Sequence, residues 1–388
     1  MTLRSILPCV LSAIICSAVQ AQPTVITAEQ VGSLAAKFTQ MFDCSEGWLG
    51  ADGIYSIPLD GNDNWSSAHK QGKTLFVFSD TMLGTADPNT KRYRDVQMVN
   101  HSAAILTTDT SSLLSLLPYR SDTVRFLYGK NADGTRTNLF DKNYWLQDGI
   151  VIDNKLYLTA FIPDARWKPT RIDLLTIPLS PYKTIDWEGV TISEQFPLFA
   201  ENEQYQLLFG AGILDHSATD GYIYVYGYRD TLRGGRKHLV AARVKPASFA
   251  DSEEWRFWNG TDWVRDLTEA FRDEAVLAER VSTELSVTPI ADGKFLLVFT
   301  QDVMSDRIAY KKGSSPIGPF GEAVIFYRAP EPTAMGDGVR VYNAKAHPHL
   351  SAPDFLLISY NVNRPGNLPR TTDQYRPRFI ELAMDGIE

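Results

Sequence analysis

Apolar and polar positions alternate in short runs along most of this chain, and five segments repeat one arrangement. Each begins with a polar residue, continues through an apolar run to a turn, and returns through a second apolar run that ends in a polar residue. The segments read DGIYSIPLDG…KTLFVFSDT from 52, DGIVIDNKLYLTAF from 148, DHSATDGYIYVYGYRD from 215, ELSVTPIADGKFLLVFTQD from 284 and HPHLSAPDFLLISYNVN from 347. Such alternation around Asp, Asn and Gly turns predicts five β-hairpins.

The five hairpins start roughly 65 residues apart, except that the first interval is longer. This period fits four-stranded blades, so we predict an all-β fold, a five-bladed β-propeller with four-stranded blades that forms a single domain over 22–388. The long first interval leaves a six-bladed alternative. Outer strands are predicted at 102–108, 123–128, 171–179, 189–196, 237–244, 255–260, 307–313, 323–329 and 378–384, with an N-terminal strand at 24–28. Helical periodicity is confined to 28–42 and 267–281.

The first 21 residues carry one Arg, an apolar run and a V-Q-A ending, which together are typical of a secretory signal peptide. We therefore expect cleavage after Ala21 and a secreted or periplasmic protein. A lipoprotein anchor at Cys16 is the alternative, although the two isoleucines before it suit such processing poorly. The mature chain would keep only Cys44 and could form no internal disulfide.

The acidic charge of the chain bears on its partners. Its formal net charge is −8, or about −9 without the Arg of the signal peptide, and it contains no block of Lys or Arg. This balance argues against nucleic acid or an anionic membrane as partner. No other apolar run approaches the ~18 residues that a membrane span requires. The eight Trp and seventeen Tyr suit sugar stacking as well as the packing of a β-rich core.

Polar residues at the hairpin ends are the candidates for chemistry. In a propeller the first strand of each blade lines the central channel and the second strand returns beside it, so strand-one starts and strand-two ends meet at one mouth. Asp52, Asp148, Asp215, Glu284 and His347 are predicted there from first strands, and Asp80 and Asn361 from second strands. Acids gathered around one axis disfavour each other's ionisation, which is typical of functional sites. Alternatively, each Asp-Gly pair is only a turn former whose carboxylate caps a loop.

Paired carboxylates suit glycosidic bond cleavage. One carboxylic acid protonates the leaving oxygen and one carboxylate acts as base or nucleophile, while a third often orients the sugar. The sequence gives no distance between them, so retention and inversion both stay open.

The stretches ADGIYS…LFVFSDT, NHSAAI and HPHLS…LLISYNVN resemble the five-bladed propeller glycosidases, the superfamily of arabinanases, β-xylosidases and β-fructosidases. They are more similar still to a group of exported bacterial propeller proteins, long described as a domain of unknown function, that includes endo-D-arabinanases. The resemblance implies a hydrolase acting on a polysaccharide, possibly of arabinan type. It implies no cofactor for the chemistry, with Ca²⁺ or a water cluster in the central channel beside His347.

On this resemblance we predict Asp52 as base or nucleophile, Glu284 as general acid, and Asp148 as the residue that tunes the acid or holds the sugar. In the better-known arabinanases the acid is a Glu of the third blade, where this chain has Asp215, so the identity of the acid stays open. Predicted substrate-binding residues are Asp80, Asp215, His347, Asn361, Trp145 and Tyr55, with Trp48 as a further aromatic candidate.

Two other functions remain alternatives on the sequence. A non-catalytic carbohydrate-binding propeller would use the aromatic residues and need no acid and base. A lactonase-like propeller centred on calcium would use the acids and Asn361 as oxygen ligands. The sequence contains no S-x-D-x-G-x-T-W box, no G-x-S-x-G and no phosphate loop or Cys/His zinc spacing. It gives no indication of the oligomeric state.

Overall fold

The computed structural model describes residues 32–65, 72–109, 121–131, 133–232, 235–336, 338–364, 370–385 and 387. The predicted signal peptide at 1–21 and the predicted strand at 24–28 lie outside these residues. In this described part of the chain no helix is long and apolar enough to cross a membrane.

The described residues form three short helices and 27 strands. The helices are α1 Ser33–Met41, α2 Ser217–Asp220 and α3 Glu331–Ala334. The strands are β1 Glu46–Ala51, β2 Tyr55–Pro58, β3 Gly72–Phe78, β4 Thr81–Ala86, β5 Tyr93–Val99, β6 Ser102–Asp109, β7 Ser121–Leu127, β8 Gly129–Lys130, β9 Arg136–Thr137, β10 Trp145–Ile152, β11 Lys155–Pro163, β12 Pro169–Pro178, β13 Thr191–Ser193, β14 Phe199–Glu201, β15 Tyr205–Asp215, β16 Ile223–Thr231, β17 Lys237–Val244, β18 Arg256–Trp258, β19 Trp263–Val264, β20 Ala278–Val281, β21 Leu285–Pro289, β22 Phe295–Thr300, β23 Arg307–Gly313, β24 Val324–Arg328, β25 Arg340–Ala346, β26 Phe355–Asn363 and β27 Arg378–Ala383.

Five antiparallel sheets follow one another along the chain, which confirms the prediction of an all-β fold. The first is β2-β3-β6-β7 and the second β10-β11-β12-β13. The third runs from β14 to β19 with β20 beside β17, the fourth is β21-β22-β23-β24, and the fifth is β25-β26-β27. Four strands are therefore found in the first, second and fourth sheets, whereas the third has seven and the fifth has three.

The innermost strands of the five sheets contact one another in sequence. Strand β2 packs beside β10, β10 beside β15, β15 beside β21, and β21 beside β25. Ser56 Oγ and His347 Nδ1, 2.6 Å apart, connect the fifth sheet back to the first. Apolar side chains fill the spaces between neighbouring sheets, such as Ile57 of the first with Leu158 of the second. Helix α1 closes the series, because Phe42 packs on both Phe379 and Phe76.

A three-stranded accessory sheet, β1-β4-β5, explains the long first interval of the repeats. Strand β1 continues into β2, and β3 continues into β4. The same two chain segments therefore pair twice, as β1 with β4 in the accessory sheet and as β2 with β3 in the first sheet. The change of sheet occurs at 52–54 on one segment and at 79–80 on the other. The accessory sheet extends the first sheet, and the six-bladed alternative has no counterpart in the described residues.

Three of the five innermost strands contain a β-bulge. The register shifts between Leu146 and Gly149 in β10, between Phe209 and Gly212 in β15, and between Tyr342 and Lys345 in β25. A bulge places two residues opposite one and re-aims their side chains. At each bulge, single side chains therefore depart from the regular alternation of the strand.

Two predicted first strands and one predicted helix are corrected by the structure. The innermost strand of the third sheet, β15, ends at Asp215, and that of the fifth sheet, β25, ends just before His347, so both residues lie at the opposite end from the one predicted. Glycines in QLLFGAGILD and polar residues in VYNAKA concealed these strands. The segment 267–281 forms the short 3₁₀ turns Leu267–Phe271 and Asp273–Ala275 followed by β20.

Candidate active site

Three carboxylate side chains predicted from the hairpin ends meet in one cavity of about 640 Å³. Asp52, Asp80 and Glu284 line it together with Trp145 and Tyr55, and we call it the mouth cavity. The remaining lining residues are Ser79, Met82, Met98, Leu146, Gln147, Phe161, Trp167, Thr283, Met304, Tyr342, Asn343, Asn363, Arg364 and Tyr375. Five of the nine residues predicted for the site are thus brought together.

Asp52 and Asp80 are held side by side by the backbone at the point where the chain passes from the accessory sheet to the first sheet. The Asp52 N–H donates to the Asp80 carbonyl at 2.8 Å, and the Ser79 N–H donates to the Asp52 carbonyl at 2.7 Å. Gly53 has a φ of +63°, and a Cβ there would meet Glu284 Oε1 at 3.2 Å. The Asp-Gly pair therefore supplies both a left-handed backbone position and room for the third carboxylate.

Two tyrosine hydroxyls donate to the Asp52 carboxylate. Tyr375 reaches Oδ2 at 2.9 Å and Tyr342 reaches Oδ1. The pKa of Asp52 is raised to about 7, mainly by burial, with the charges of Asp80 and Glu284 acting in the same direction and the two tyrosine hydrogen bonds acting against it. Burial and the Asp52 charge also raise the pKa of both tyrosines well above the usual value, so both stay protonated donors. Asp52 is thus a desolvated carboxyl with donors on both oxygens.

Asp80 carries a single hydrogen bond on its side chain. Trp145 Nε1 donates to Asp80 Oδ1 at 2.8 Å. Burial raises the pKa of Asp80 to about 6, and the bond from Trp145 lowers it. The Trp145 ring also stacks on Trp167, with 5.9 Å between ring centroids and 12° between planes. Trp167 is 58% exposed, so the pair presents a flat indole face beside Asp80.

Glu284 is held by a buried cation and an amide. Lys345 Nζ forms an ion pair with Oε2, and Asn343 Nδ2 donates to Oε1 at 2.9 Å. Burial raises the pKa of Glu284, and Lys345 acts in the opposite direction. Asn343 has a φ of 60° within the bulge of β25, which is how a strand residue comes to face Glu284. Lys345 is only 2% exposed.

The wall of the mouth cavity is largely apolar. The three methionines Met82, Met98 and Met304 line it, and Met98 and Met304 are 45% and 47% exposed. Arg364 is the only basic residue among the described residues that line it. A cavity of this kind offers flat and flexible apolar contacts to a ligand and little charge compensation for an anionic one.

Asp148 lies in a second, much smaller space of about 30 Å³, which we call the channel cavity. Its Oδ1 accepts from its own neighbour Gly149 N at 2.9 Å, and its Oδ2 accepts from Ile213 N at 2.7 Å. Burial raises the pKa of Asp148 to about 7. Among the described residues Tyr55 alone lines both cavities, and Lys345 Nζ lies 4.5 Å from its ring centroid. The prediction that Asp148 joins Asp52 and Glu284 at the mouth is therefore corrected.

The other three predicted site residues also lie outside the mouth cavity. Asp215 is exposed, and its Oδ1 accepts from Ser217 N at 2.9 Å in a turn. Asn361 is buried behind Asp52, where its Nδ2 donates to the Ala51 carbonyl at 3.2 Å. His347 lines the channel cavity. Trp48 is a core residue, 1% exposed.

His347 does not present a free nitrogen to a metal. Its Nδ1 contacts Ser56 Oγ at 2.6 Å and its Nε2 contacts Ser359 Oγ at 2.7 Å. Burial and the nearby charge of Lys345 lower its pKa well below the usual value, so the ring is neutral. Among the described residues no group of three His, Cys, Asp or Glu side chains is placed to hold a metal ion. The residues beside His347 therefore do not fit the calcium ion that the resemblance implied.

Sequence reasoning missed the partners that tune the three carboxylates. Tyr342, Asn343 and Lys345 all come from YNAKA, the five residues directly ahead of the predicted hairpin start at His347. Lys345 between two alanines was the one available signal, since a lysine in a buried strand needs an acidic partner. Tyr375 comes from a short turn after β26, and nothing in its surroundings marked it.

A family model described as "Domain of unknown function (DUF5005)" matches residues 35–384. No curated protein matches the sequence. A crystal structure of a candidate hydrolase from Bacteroides ovatus is similar in fold, with a TM-score of 0.64 and 16% identity over 89% of this chain and 88% of that chain. At this identity the likeness shows a shared fold alone.

Two further solved structures are more distant. A GH43_1 enzyme from Xanthomonas citri complexed with xylotriose has a TM-score of 0.46 at 13% identity, covering 91% of this chain and 94% of that chain. A thermostable family-43 glycoside hydrolase has a TM-score of 0.39 at 14% identity, covering 85% and 88%. Both scores are too low to carry an argument.

Proposed function

The chain belongs to the DUF5005 family, and we propose from the geometry of its mouth cavity that it is a glycoside hydrolase. The observation that carries the proposal is the meeting of three carboxyls from distant parts of the sequence in one apolar cavity. Two of them, Asp52 and Asp80, have pKa values raised to about 7 and about 6. Such a pair can hold one proton and one negative charge at neutral pH, which glycosidic cleavage requires.

We propose that the five sheets are the blades of a five-bladed propeller. The sequential contacts of β2, β10, β15, β21 and β25 and the Ser56 to His347 contact support this arrangement. The fifth blade has three described strands, with α1 packed against it. We also propose a single domain over 22–388, preceded by a signal peptide that directs the protein to the periplasm or outside the cell.

In the proposed reaction Asp52 activates the attacking water. Both of its oxygens accept phenol hydrogen bonds, which favour the ionised form needed in a base. Glu284, the predicted acid, instead forms an ion pair with Lys345, which favours its ionised form. Asp148 accepts from the backbone N–H of Ile213, and it is linked to Glu284 by Lys345, whose charge lowers the pKa of both carboxyls.

The proposed substrate is a neutral polysaccharide, possibly of arabinan type. The Trp145 and Trp167 pair provides a flat face for a sugar ring, and three methionines add apolar contacts to the wall. Arg364 as the single lining cation offers little compensation for an acidic glycan. The arabinan assignment rests on the resemblance of the short motifs to endo-D-arabinanases.

A glycan digestion screen with chain-length analysis tests the proposal. Purified protein is incubated with arabinans, xylans, galactans and fructans, and the products are separated by size. We expect shortened chains from at least one neutral polysaccharide and none from the Asp52→Asn variant. Retention of a polysaccharide without cleavage would replace the hydrolase with a carbohydrate-binding protein. Cleavage at the parental rate by Asp52→Asn would remove Asp52 from the mechanism.

A further inference from the structure

The proposed hydrolysis needs one of the carboxyls in the mouth cavity to hold a proton, and their surroundings differ. Glu284 faces the ammonium of Lys345, whose side chain is 2% exposed. Protonating Glu284 would leave that buried ammonium without its nearest counter-charge, which is strongly unfavourable. The Asn343 amide also donates to Glu284 and so favours the ionised carboxylate. Glu284 is therefore the carboxylate least suited to store a proton.

Asp52 and Asp80 then share the remaining proton. They are joined by backbone hydrogen bonds, and the charge of Asp80 disfavours ionisation of Asp52. Asp52 accepts one phenol hydroxyl on each carboxylate oxygen. Asp80 accepts only from Trp145, on Oδ1, and its Oδ2 has no hydrogen-bond partner in the described part of the chain. Donors stabilise the charged form, and on this geometry we place the negative charge on Asp52, although its pKa of about 7 lies above the value of about 6 for Asp80.

Asp80 also has a carboxylate oxygen, Oδ2, that accepts no hydrogen bond in the described part of the chain. Its other oxygen is bonded to Trp145, which stacks on Trp167, so a sugar resting on that indole face would lie next to the Asp80 carboxyl. Each oxygen of Asp52, in contrast, already accepts one tyrosine hydroxyl, which leaves one lone pair on each for the attacking water.

We propose that Asp80 is the general acid of the reaction, an assignment that rests on the proposed hydrolase function and replaces Glu284 in that role. The Asp80 carboxyl transfers its proton to the glycosidic oxygen as the bond from that oxygen to the anomeric carbon breaks. Water adds its hydroxyl to the anomeric carbon, and Asp52 takes the remaining proton. One water is consumed, and passage of the proton from Asp52 back to Asp80 restores the starting state. Glu284 is a positioning residue that holds Lys345 and Asn343.

The location of the proton can be measured without a substrate. Protein labelled with ¹³C at the aspartate side-chain carboxyl is titrated by NMR between pH 4 and pH 9. We expect a carboxyl still protonated near neutral pH whose resonance is lost in Asp80→Asn and kept in Asp148→Asn, the control that removes an aspartate of the channel cavity whose pKa is also raised. The proposal would be overturned if every aspartate resonance that titrates near neutral pH persisted in Asp80→Asn. It would also be overturned if a glutamate-labelled sample showed that Glu284 carries the proton.

Kinetics with two classes of substrate test the catalytic role. An acid is needed for a polysaccharide, whose leaving alcohol is basic, but much less for an aryl glycoside with an acidic phenol. We expect Asp80→Asn to lose about 10²- to 10⁴-fold in kcat/KM on the polysaccharide identified in the screen and less than about 10-fold on its dinitrophenyl glycoside. Asp52→Asn should lose both activities. Equal losses for Asp80→Asn, or the selective loss in Glu284→Gln instead, would overturn the assignment.

The two experiments separate the inference from the function on which it rests. A proton found on Asp80 in a protein that cleaves no glycan would contradict the hydrolase and with it the catalytic role. Cleavage by a protein whose proton lies on Glu284 would contradict only the assignment to Asp80. Melting curves of every variant establish that a lost activity is not a lost fold.

Discussion

Asp52 and Asp148 share a dipeptide and a degree of burial, but their surroundings differ. Each is followed by Gly, and each has a pKa raised by burial to about 7. Asp52 faces two side-chain hydroxyls in the mouth cavity, whereas Asp148 accepts from the backbone N–H groups of Gly149 and Ile213 in the channel cavity. Hydroxyls can rotate and exchange with substrate, but backbone amides are fixed. Burial and a raised pKa therefore do not by themselves distinguish a reactive carboxyl from a structural one.

The largest expected difference between them is in activity. Asp52→Asn should lower kcat/KM on the cleaved polysaccharide by about 10³-fold or more, because a general base typically contributes that much. Asp148→Asn, the matched control, should lower it by less than about 10-fold. Assays at saturating and low substrate separate kcat from KM. If Asp148→Asn is as inactive as Asp52→Asn while its melting temperature is unchanged, the two aspartates do not differ as the structure indicates.

The pH dependence of stability should be the same for both residues. Each carboxyl has a native pKa of about 7 and an unfolded value near 4, so it binds more protons in the folded protein between these pH values. Its contribution to stability is therefore greatest at low pH and falls as the pH rises to 7. Each substitution to Asn should reduce this fall by up to about 4 kcal/mol. Urea unfolding at pH 4.5 and pH 7.5 measures it. A variant whose stability falls over this window as steeply as that of the parent protein would contradict the raised pKa values.

At pH 5 the two substitutions should affect stability differently. Asn at 148 can accept only one of the two backbone N–H groups and turns its own NH₂ towards the other, which should cost about 1 to 3 kcal/mol of unfolding free energy. Asn at 52 should cost less than about 1 kcal/mol, because Tyr342 and Tyr375 can turn their hydroxyls to accept from the new NH₂. Chemical denaturation compares the two variants. Equal losses would mean that the tyrosines are as fixed as the amides.

The smallest expected effect is a shift in the pH profile of activity. Tyr375→Phe removes a donor to the ionised Asp52 and should move the pH at which activity appears upward by up to about one unit. Tyr226→Phe is the control, since its hydroxyl donates to the Pro316 carbonyl away from the cavity. The measurement is kcat/KM from pH 5 to pH 9. A downward shift, or the same shift in the control, would contradict the role given to Tyr375.

The hairpin pattern predicted those site residues whose positions depend on the local sequence. Asp52, Asp80 and Glu284 meet because the start of one strand and the end of the next lie at one end of a sheet, and the spacing of the repeats carries that information. Asp215 and His347 were misplaced because Gly210, Gly212 and the polar residues of YNAKA made real strands resemble loops.

The partners of the carboxylates could not be predicted in the same way. Lys345 pairs with Glu284 across 61 positions of sequence, and Tyr375 reaches Asp52 across 323. Such contacts depend on how the sheets close on one another, and no local period encodes them. The accessory sheet was equally hidden, since it is built from continuations of strands already assigned to the first sheet.

Tyr55 separates the mouth cavity from the channel cavity, with its hydroxyl bound to the Ala211 carbonyl at 3.2 Å and Lys345 over its ring. Among the described residues the two cavities thus share only Tyr55 as a lining residue. In the proposed reaction a cleaved fragment would leave by the opening through which the substrate entered and rebind before the next cut. Turnover on a long chain should therefore yield a broad distribution of fragment lengths at early times, and accumulated product should compete with fresh substrate.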